Sequence, residues 1–323
     1  MPLPSFIVVG AVKAGTTSLY NYLGQHPEIQ MSSSNWPRYF HVADGAPDFD
    51  AMAEQFGDEL REESEGRYNM MCPPSVPRDI SGYDSMWPQG NQVNGEVSPT
   101  YLHDANVCKL IAERIPHAKL IAVLRNPVDR AYSHFVMDRR RNWESIPDFD
   151  DALAAEPADV DEFWWGRRQY VRHGLYANTV RQYQESFAPG QLKVMFYDDL
   201  IADSDAYMRE MLTFIGVDPE FRIDTTTRHH KGLVKSQSLK SRLLYAQFPG
   251  KQFLKRHLPS VAREKIQGRI EDATHAEPEP MSSATKSRLV DMFRDDVNAL
   301  QSLVDRDLSH WLQGARQQGC VIS

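Results

Sequence analysis

A lysine in a loop of small residues is the first feature of the chain that could do chemistry. The apolar run Phe6–Gly10 leads to Lys13 and Gly15, and Thr16 and Thr17 follow where a helix can begin. Backbone N–H groups at a helix N-terminus, with a lysine ammonium beside them, bind phosphate or sulfate. The lysine precedes Gly15 by two residues instead of following it directly, which disfavours the phosphate loop of kinases and GTPases. The spacing predicts an anion site of another kind.

A second set of polar side chains follows another apolar run. Arg125 ends the run 118–125, Asn126 and Pro127 open the next predicted helix, and Ser133 lies two turns into it. Open parallel sheets place their ligands at the carboxyl ends of the strands. An arginine fork and a hydroxyl at this edge suit a phosphate separate from the anion near Lys13. Taken alone, Arg125 also fits an ion pair that serves only the fold.

Apolar strands that alternate with amphipathic helices must position these loops. The pattern predicts strands at 6–10, 28–32, 118–125 and 191–197 and helices at about 16–25, from 126, from 176 and at about 283–300. Alternation of this kind predicts an α/β fold, three-layered and P-loop-like, with a central parallel sheet flanked by helices. The part beyond residue 198 is expected to be mostly helical.

Residues 33–95 differ in composition from the rest of the chain. They are rich in Ser, Pro, Trp, Met and Gly, and contain no clear strand or helix pattern. Such composition is typical of a long surface loop or lid. We therefore expect an irregular segment here.

Composition and charge exclude several classes of function. With 323 residues, of which 41% are hydrophobic, the chain can form one large domain. Its net charge of −8 argues against nucleic acid as a partner. The three cysteines (Cys72, Cys108 and Cys320) are too far apart for a disulfide framework or a zinc site. Since no apolar run approaches ~18 residues, we expect no membrane span or leader and a cytoplasmic location.

The last four residues contain a motif that, if used, would attach the protein to a membrane by a lipid. Cys320-Val-Ile-Ser323 fits a prenylation box with serine last. Only Arg316 lies close upstream, so the polybasic second signal is missing. Both a lipid anchor at Cys320 and a chance match remain open.

The loop at Lys13 and the segment 125–133 together resemble the two nucleotide motifs of sulfotransferases that use 3′-phosphoadenosine 5′-phosphosulfate (PAPS). Further similarity lies in Gly174-Leu-Tyr176, Phe196-Tyr197-Asp-Asp-Leu200 and Asp305-Arg-Asp-Leu-Ser-His-Trp311. The resemblance covers roughly residues 5–312 and is closer to heparan-sulfate-type and bacterial members than to the phenol and steroid enzymes. It implies one sulfotransferase domain over 1–315 and a tail at 316–323.

The resemblance also implies roles for the motif residues. Lys13 would contact the phosphosulfate and stabilise charge on the leaving group, adenosine 3′,5′-bisphosphate (PAP). Arg125 and Ser133 would hold the 3′-phosphate. Sulfuryl transfer then depends mainly on positioning and electrostatics, and the family needs no metal. Donors to the 5′-phosphosulfate would come from Ala14, Gly15, Thr16 and Thr17.

The acceptor side departs from the family pattern. Trp36 stands where glycan-type relatives have a glutamate base before an aromatic pair, so the base must be sought elsewhere. Glu96 is the first candidate, because 95–101 resembles the family's second acceptor segment, although Val97 replaces its usual lysine. His41 and His103 are the other candidates. Residues expected to bind the acceptor are Trp36, Arg38, Pro99 and Tyr101.

Two further features have open interpretations. The basic loop 228–242 contains Lys231 and Gly232, which match a segment near the nucleotide, with Val234 in place of an aromatic residue. The loop either closes over PAPS or an anionic acceptor, or is simply solvated. Trp164 and Trp165 either line an acceptor cleft or serve packing.

The sequence thus predicts a PAPS-dependent sulfotransferase that acts on a hydroxyl or amine of a saccharide, lipid or secondary metabolite. One alternative is a PAPS- or PAP-binding relative that has lost its chemistry, motivated by Trp36 and Val97. The other is a nucleotide kinase with an unusual phosphate loop. The sequence identifies neither the acceptor nor the oligomeric state.

Overall fold

A computed structural model gives the fold of the chain. It describes residues 3–43, 54, 76–87, 90, 92–141, 143–156, 168–226, 233–234, 275–276 and 281–313. The chain divides into two compact units. The larger comprises 1–135, 146–229 and 281–323, and the smaller 136–145 and 230–280.

The larger unit is built on a five-stranded parallel sheet. Its strands are β1 (Phe6–Gly10), β2 (Ile29–Met31), β3 (Val93–Val97), β4 (Lys119–Leu124) and β5 (Leu192–Phe196), in the order β2-β3-β1-β4-β5. In register, Ile7 of β1 lies beside Glu96 on one side and Leu120 on the other. The predicted α/β fold with a parallel sheet is confirmed.

Helices connect and flank these strands. They are α1 (Thr16–Leu23), α2 (Tyr39–Val42), α3 (Ile80–Asp84), α4 (Ala105–Arg114), α5 (Pro127–Arg140), α6 (Phe149–Ala154), α7 (Ala177–Ser186), α8 (Tyr197–Ala202), α9 (Ser204–Ile215) and α10 (Ser283–Val304). Short 3-10 helices span Tyr101–His103, Arg172–Gly174 and Ser309–Leu312. Within the described ranges, no helix is both long enough and apolar enough to cross a membrane.

The two central strands explain why the sheet forms. Residues 6–9 of β1 and 120–124 of β4 are fully buried, as expected of strands covered on both faces by helices. Both are continuous apolar runs, and the loops that follow them must lie side by side at the carboxyl edge of the sheet.

The expectation of an irregular segment over 33–95 is wrong in part. Strand β3 begins at Val93, and α2 and α3 also lie inside that range. Polar and small residues, Asn94, Gly95 and Glu96, interrupt the apolar run of β3, which hid it in the sequence. Gly95 is required because a Cβ there would overlap the ring of Phe6 on β1.

The smaller unit contains a short antiparallel pair, β6 (Leu233–Val234) with β7 (His275–Ala276). It also contains the end of α5 and the turn that follows. There Arg139 donates hydrogen bonds to the carbonyl oxygens of Glu144 (2.8 Å) and Ser145 (3.0 Å). These bonds close the turn after α5.

The C-terminal helix fixes the segment that precedes α7. The carboxylate of Asp296 on α10 accepts hydrogen bonds from the backbone N–H groups of Tyr176 (2.7 Å) and Ala177 (3.0 Å). These are first-turn donors of α7 that have no partner within their own helix. Farther on, Arg306 binds both carboxylate oxygens of Asp199 at 2.5 and 2.6 Å. The C-terminal segment therefore supports the start of α7 and helix α8.

Candidate functional site

The loop after β1 has the backbone of an anion cradle. Lys13 and Gly15 both adopt positive φ, 72° and 82°, and α1 begins directly at Thr16 without a side-chain cap. The first-turn N–H groups of a helix have no acceptors within the helix, and its dipole favours an anion there. Ala14 and Thr16 are buried, whereas Thr17 and Lys13 are half-buried. The predicted site at Lys13 thus has the required loop-to-helix geometry.

Tyr197, the first residue of α8, lies directly against this loop. A Cβ on Gly15 would stand 2.9 Å from the Tyr197 ring. With its positive φ, Gly15 therefore has two reasons to be glycine. Tyr197 stands at the carboxyl end of β5.

Arg125 joins the second predicted motif to the first. Its guanidinium donates a hydrogen bond of 3.0 Å to the backbone carbonyl of Lys13 and lies 5.0 Å from the Tyr197 ring centroid. Its own carbonyl accepts a bond of 3.0 Å from the hydroxyl of Tyr176. Burial raises the pKa of Tyr176 to about 12, so this hydroxyl stays protonated and donates. The structure thus brings the two motifs into contact.

Ser133 lies on α5, the helix that begins two residues after Arg125. Asn126 caps this helix, since its side-chain oxygen accepts the N–H of Val128 at 3.0 Å, and Pro127 is its first residue. Pro at this position costs no hydrogen bond. Ser133 is half-buried on the second turn.

The acceptor-side segments lie on the other side of β1. Strand β3 pairs with β1, and the N–H of Ser98 donates to the carbonyl of Val8 at 3.0 Å. Residues 98–101 therefore follow β3 at the same sheet edge as the loop of Lys13. Of the predicted acceptor contacts in this segment, Pro99 is half-buried and Tyr101 is buried.

Glu96, the first candidate base, is fully buried. Its carboxylate accepts hydrogen bonds from the hydroxyls of Ser98 (2.6 Å), Tyr83 and Tyr101. Burial raises the pKa of Glu96 above its ordinary value, although these hydrogen bonds oppose the shift. The Ser98 oxygen in turn lies 3.5 Å from the N–H of Arg38.

His41 belongs to a second buried network. Its Nδ1 lies 3.2 Å from a carboxylate oxygen of Asp104, and its Nε2 lies 2.8 Å from the hydroxyl of Thr100. Burial lowers the pKa of His41, and the charge of Arg38 adds to this, while Asp104 opposes it. Burial alone would raise the pKa of Asp104, but His41 and the backbone N–H groups of Val107 and Asn106 bring it below its ordinary value. A neutral imidazole thus lies between a carboxylate and a hydroxyl.

Trp36 and Arg38 form a strained turn above these two networks. Both residues have positive φ, 83° and 60°, which is costly for side chains of their size. The Trp36 indole donates to the Thr100 hydroxyl at 3.2 Å, and the Arg38 guanidinium lies 4.3 Å from the indole centroid. Both side chains are half-buried. The structure brings these two predicted acceptor residues together with His41.

His103, the third candidate base, lies in a different cluster. Its ring stacks on His173 at 4.6 Å, and His173 stacks on His134 at 5.7 Å. Burial, aided by the charge of Arg130, lowers the pKa of His103 to about 3. His103 is therefore neutral, like His41, but is packed among other histidines.

Several predicted residues fall outside the part of the chain that the structure describes. They are Lys231, Gly232, Trp164, Trp165, Cys72 and Cys320. Val234 lies in β6.

Three residues of the site were not predicted from the sequence: Tyr197, Thr100 and Asp104. Tyr197 carried one signal, since it follows a predicted strand directly. Thr100 and Asp104 carried a weaker one, their nearness to Glu96 in the sequence.

Comparisons with known proteins identify the family of the chain. The model of the Sulfotransferase family matches residues 4–221. Human bifunctional heparan sulfate N-deacetylase/N-sulfotransferase 3 is 28% identical over 238 residues, which are 71% of this chain and 24% of the human protein. The chain thus spans about a quarter of the length of this curated relative.

One solved structure extends the likeness over nearly the whole chain. A sulfotransferase from Alicyclobacillus acidocaldarius superimposes with a TM-score of 0.67 at 25% identity, covering 97% of this chain and 100% of its own. A mouse sulfotransferase complexed with PAP aligns over 93% of this chain and 89% of its own, at 12% identity and a TM-score of 0.41. The second value is too low for a comparison of sites.

Proposed function

Because the chain belongs to the sulfotransferase family, we propose that it transfers the sulfuryl group of PAPS to a hydroxyl or amine of an acceptor and releases PAP. The contact between Arg125 and the carbonyl of Lys13 carries this proposal. This contact joins a backbone cradle suited to one anion to an arginine suited to a second anion. PAPS carries two such anionic groups, the 5′-phosphosulfate and the 3′-phosphate.

On the donor side, each residue has a role that suits its chemistry. The N–H groups at the start of α1 and the hydroxyls of Thr16 and Thr17 bind the 5′-phosphosulfate. The Lys13 ammonium stabilises the negative charge that grows on the leaving phosphate as the S–O bond breaks. Arg125 and Ser133 bind the 3′-phosphate. Positioning of this kind suits an in-line transfer through a loose transition state.

On the acceptor side, Glu96 and His41 remain the two candidates for the group that takes the acceptor's proton. Trp36, Arg38, Pro99 and Tyr101 are the proposed acceptor contacts. Saccharides, lipids and secondary metabolites are all candidate acceptors. The name of the human relative suggests amino sugars as the first class to test.

The alternative of a donor-binding relative without chemistry is favoured by one observation. Trp36 occupies the place of the expected glutamate, and its indole is tied to Thr100. A chain of this kind would bind PAP and transfer nothing.

A transfer assay with labelled PAPS separates these possibilities. The protein is incubated with 35S-labelled PAPS and EDTA, together with N-unsubstituted glucosamine oligosaccharides, simple sugars, phenols and hydroxy lipids. We expect transfer to at least one acceptor, and a loss of about 10²- to 10³-fold in Lys13→Ala. Lys109→Ala is the matched control, since this lysine is exposed on α4. Equal rates in Lys13→Ala and the wild type would contradict the role of Lys13.

A further inference from the structure

Two hydroxyls hold the turn of Trp36 and Arg38, and each leads to a buried ionisable side chain. Ser98 leads to Glu96, and Thr100 leads to His41 and then to Asp104. Only the second of these hydrogen-bond chains contains an imidazole, the side chain whose ordinary pKa lies near neutral pH. The inference that follows rests on the proposed sulfotransferase function.

The hydrogen positions in the second chain follow by elimination. The indole of Trp36 can only donate, so the Thr100 oxygen accepts that bond. The lowered pKa of Asp104 makes it an ionised acceptor, so Nδ1 of His41 carries the proton that faces it. In a neutral imidazole the other nitrogen then accepts, and the Thr100 hydroxyl donates to Nε2. The order is carboxylate, imidazole, hydroxyl.

This order is that of a base oriented by a carboxylate and bonded to a hydroxyl. A hydroxyl has one donor and two acceptor positions. Among the described residues, Thr100 gives its donor to His41 and one acceptor position to Trp36. One acceptor position therefore remains for the hydroxyl or amine of a substrate. Thr100 is buried and Trp36 half-buried, so a substrate would reach it beside this indole or in its place.

We propose that His41 and Asp104 take up the acceptor's proton through the hydroxyl of Thr100, while Glu96 holds the turn in place. As the acceptor oxygen or nitrogen bonds to sulfur and the S–O bond to PAP breaks, the acceptor's proton passes to the Thr100 oxygen. The proton of Thr100 moves at the same time to Nε2 of His41. The imidazolium is stabilised by the Asp104 carboxylate and returns its proton to solvent after product release.

Glu96 is less suited to this task than His41. Its carboxylate already accepts hydrogen bonds from three hydroxyls. Removal of any one of those donors would leave a buried polar group unsatisfied. Its contacts instead tie α3, β3 and the turn at Arg38 together.

The charged and titratable groups facing His41 define its expected pH response. They are Asp104 at Nδ1, the Arg38 charge, and the Tyr101 ring at 5.0 Å. Because burial keeps the pKa of His41 below its ordinary value, we expect the transfer rate to fall only below about pH 6.5. Once the pH falls below this lowered pKa, His41 is protonated and cannot accept another proton.

Four variants test the proposal: His41→Gln, Thr100→Val, Thr100→Ser and Glu96→Gln. Each is assayed from about pH 5 to 8 for 35S transfer from PAPS to whichever acceptor the proposed transfer assay identifies. Release of inorganic sulfate, with water as acceptor, is measured in parallel. Calorimetry with PAP checks that the donor site persists. We expect the transfer rate of His41→Gln and Thr100→Val to fall roughly 10²-fold. These two variants should also lose the acid limb of the pH profile, which is the fall in rate at low pH. Thr100→Ser should keep both the wild-type rate and the acid limb, and Glu96→Gln should keep the acid limb.

Three outcomes would overturn the proposal without touching the proposed function. They are an acid limb that survives in His41→Gln, a wild-type rate in Thr100→Val, and loss of the limb in Glu96→Gln alone. Should a variant fail to fold, 15N spectra of histidine in the wild-type protein decide instead. We expect the His41 proton on Nδ1 at neutral pH, and a proton on Nε2 would contradict the mechanism. A wild-type protein that does not bind PAP refutes the proposed function itself.

Discussion

The guanidinium of Arg125 donates a hydrogen bond of 3.0 Å to the backbone carbonyl of Lys13. These residues are 112 positions apart in the chain, and they meet because their strands, β4 and β1, are neighbours in the sheet. The bond fixes the lysine loop and at the same time places a cation beside it. The ring of Tyr197 supports both the lysine loop and Arg125, since it packs against Gly15 and lies beneath the Arg125 guanidinium.

Replacement of Arg125 by lysine tests whether the fork geometry matters as well as the charge. Lysine keeps the positive charge but loses the planar pair of donors. We expect calorimetry to show PAP affinity reduced about 10- to 10²-fold, the range for a lost charge-assisted hydrogen bond. Arg181→Lys, on the exposed face of α7, should bind PAP as the wild type does. Unchanged PAP affinity in Arg125→Lys would contradict a role for the planar pair of donors at Arg125.

Gly15→Ala separates backbone strain from the contact with Tyr197. Gly190 provides the matched control, because its φ of 85° resembles the 82° of Gly15 but nothing lies within 4 Å of its Cβ position. Gly190→Ala should lower the unfolding free energy by about 1 kcal/mol through strain alone. Gly15→Ala should cost about 1–3 kcal/mol more through overpacking against Tyr197. Equal losses in urea denaturation would show that the loop yields freely at this position.

Asp296→Ala tests how α10 supports the donor side. The substitution leaves the N–H groups of Tyr176 and Ala177 without their acceptor, and we expect a loss of about 1–2 kcal/mol in unfolding free energy. PAP affinity should also fall, because the Tyr176 hydroxyl holds the carbonyl of Arg125. Asp295→Ala removes the same charge from an exposed neighbouring position and should change neither quantity. A stable Asp296→Ala variant would rule out the capping role.

The buried histidine stack predicts acid-sensitive stability. Burial, together with electrostatic coupling to His103 and His134 and the charges of Arg130 and Arg172, holds the pKa of His173 well below its ordinary value. The unfolded chain then binds more protons than the folded one below about pH 6.5. Stability from this group is complete above that pH and falls by up to about 1.4 kcal/mol for each pH unit below it.

Comparison of the wild type with His173→Phe isolates this effect. Glu156, whose pKa burial raises to about 6, titrates in the same window with the opposite sign, so the wild type alone is not decisive. Urea denaturation between about pH 5 and 7 should show that the wild type loses stability relative to His173→Phe as the pH falls below about 6.5, by up to about 1.4 kcal/mol for each pH unit. A difference in unfolding free energy that does not change with pH would contradict a buried neutral His173.

The fold could be predicted from the sequence where a strand is a continuous apolar run. Strands β1 and β4 and the helices after them were predicted for that reason. Strand β3 was not, because Asn94, Gly95 and Glu96 are buried through distant partners. Trp87, for example, donates to the carbonyl of Gly95 at 3.2 Å, and Tyr83 donates to Glu96. Such partners are visible only once the chain is folded.

The donor half and the acceptor half of the site also differ in how far they could be predicted from the sequence. The donor half depends on short loops with recognisable spacing, so Lys13 and Arg125 could be chosen from the sequence. The acceptor half depends on pairs such as His41 and Thr100, which are 59 positions apart and meet through packing. Their hydroxyl, imidazole and carboxylate groups have no fixed spacing that a motif could capture.

Calorimetry of the unmodified protein with PAP and with adenosine 5′-monophosphate tests the central claim most directly. The two ligands differ by the 3′-phosphate that Arg125 and Ser133 are proposed to hold. We expect PAP to bind at least about 10-fold more tightly than adenosine 5′-monophosphate, because of charge-assisted contacts to one more phosphate. Equal affinity for both nucleotides, or no binding of PAP, would contradict it.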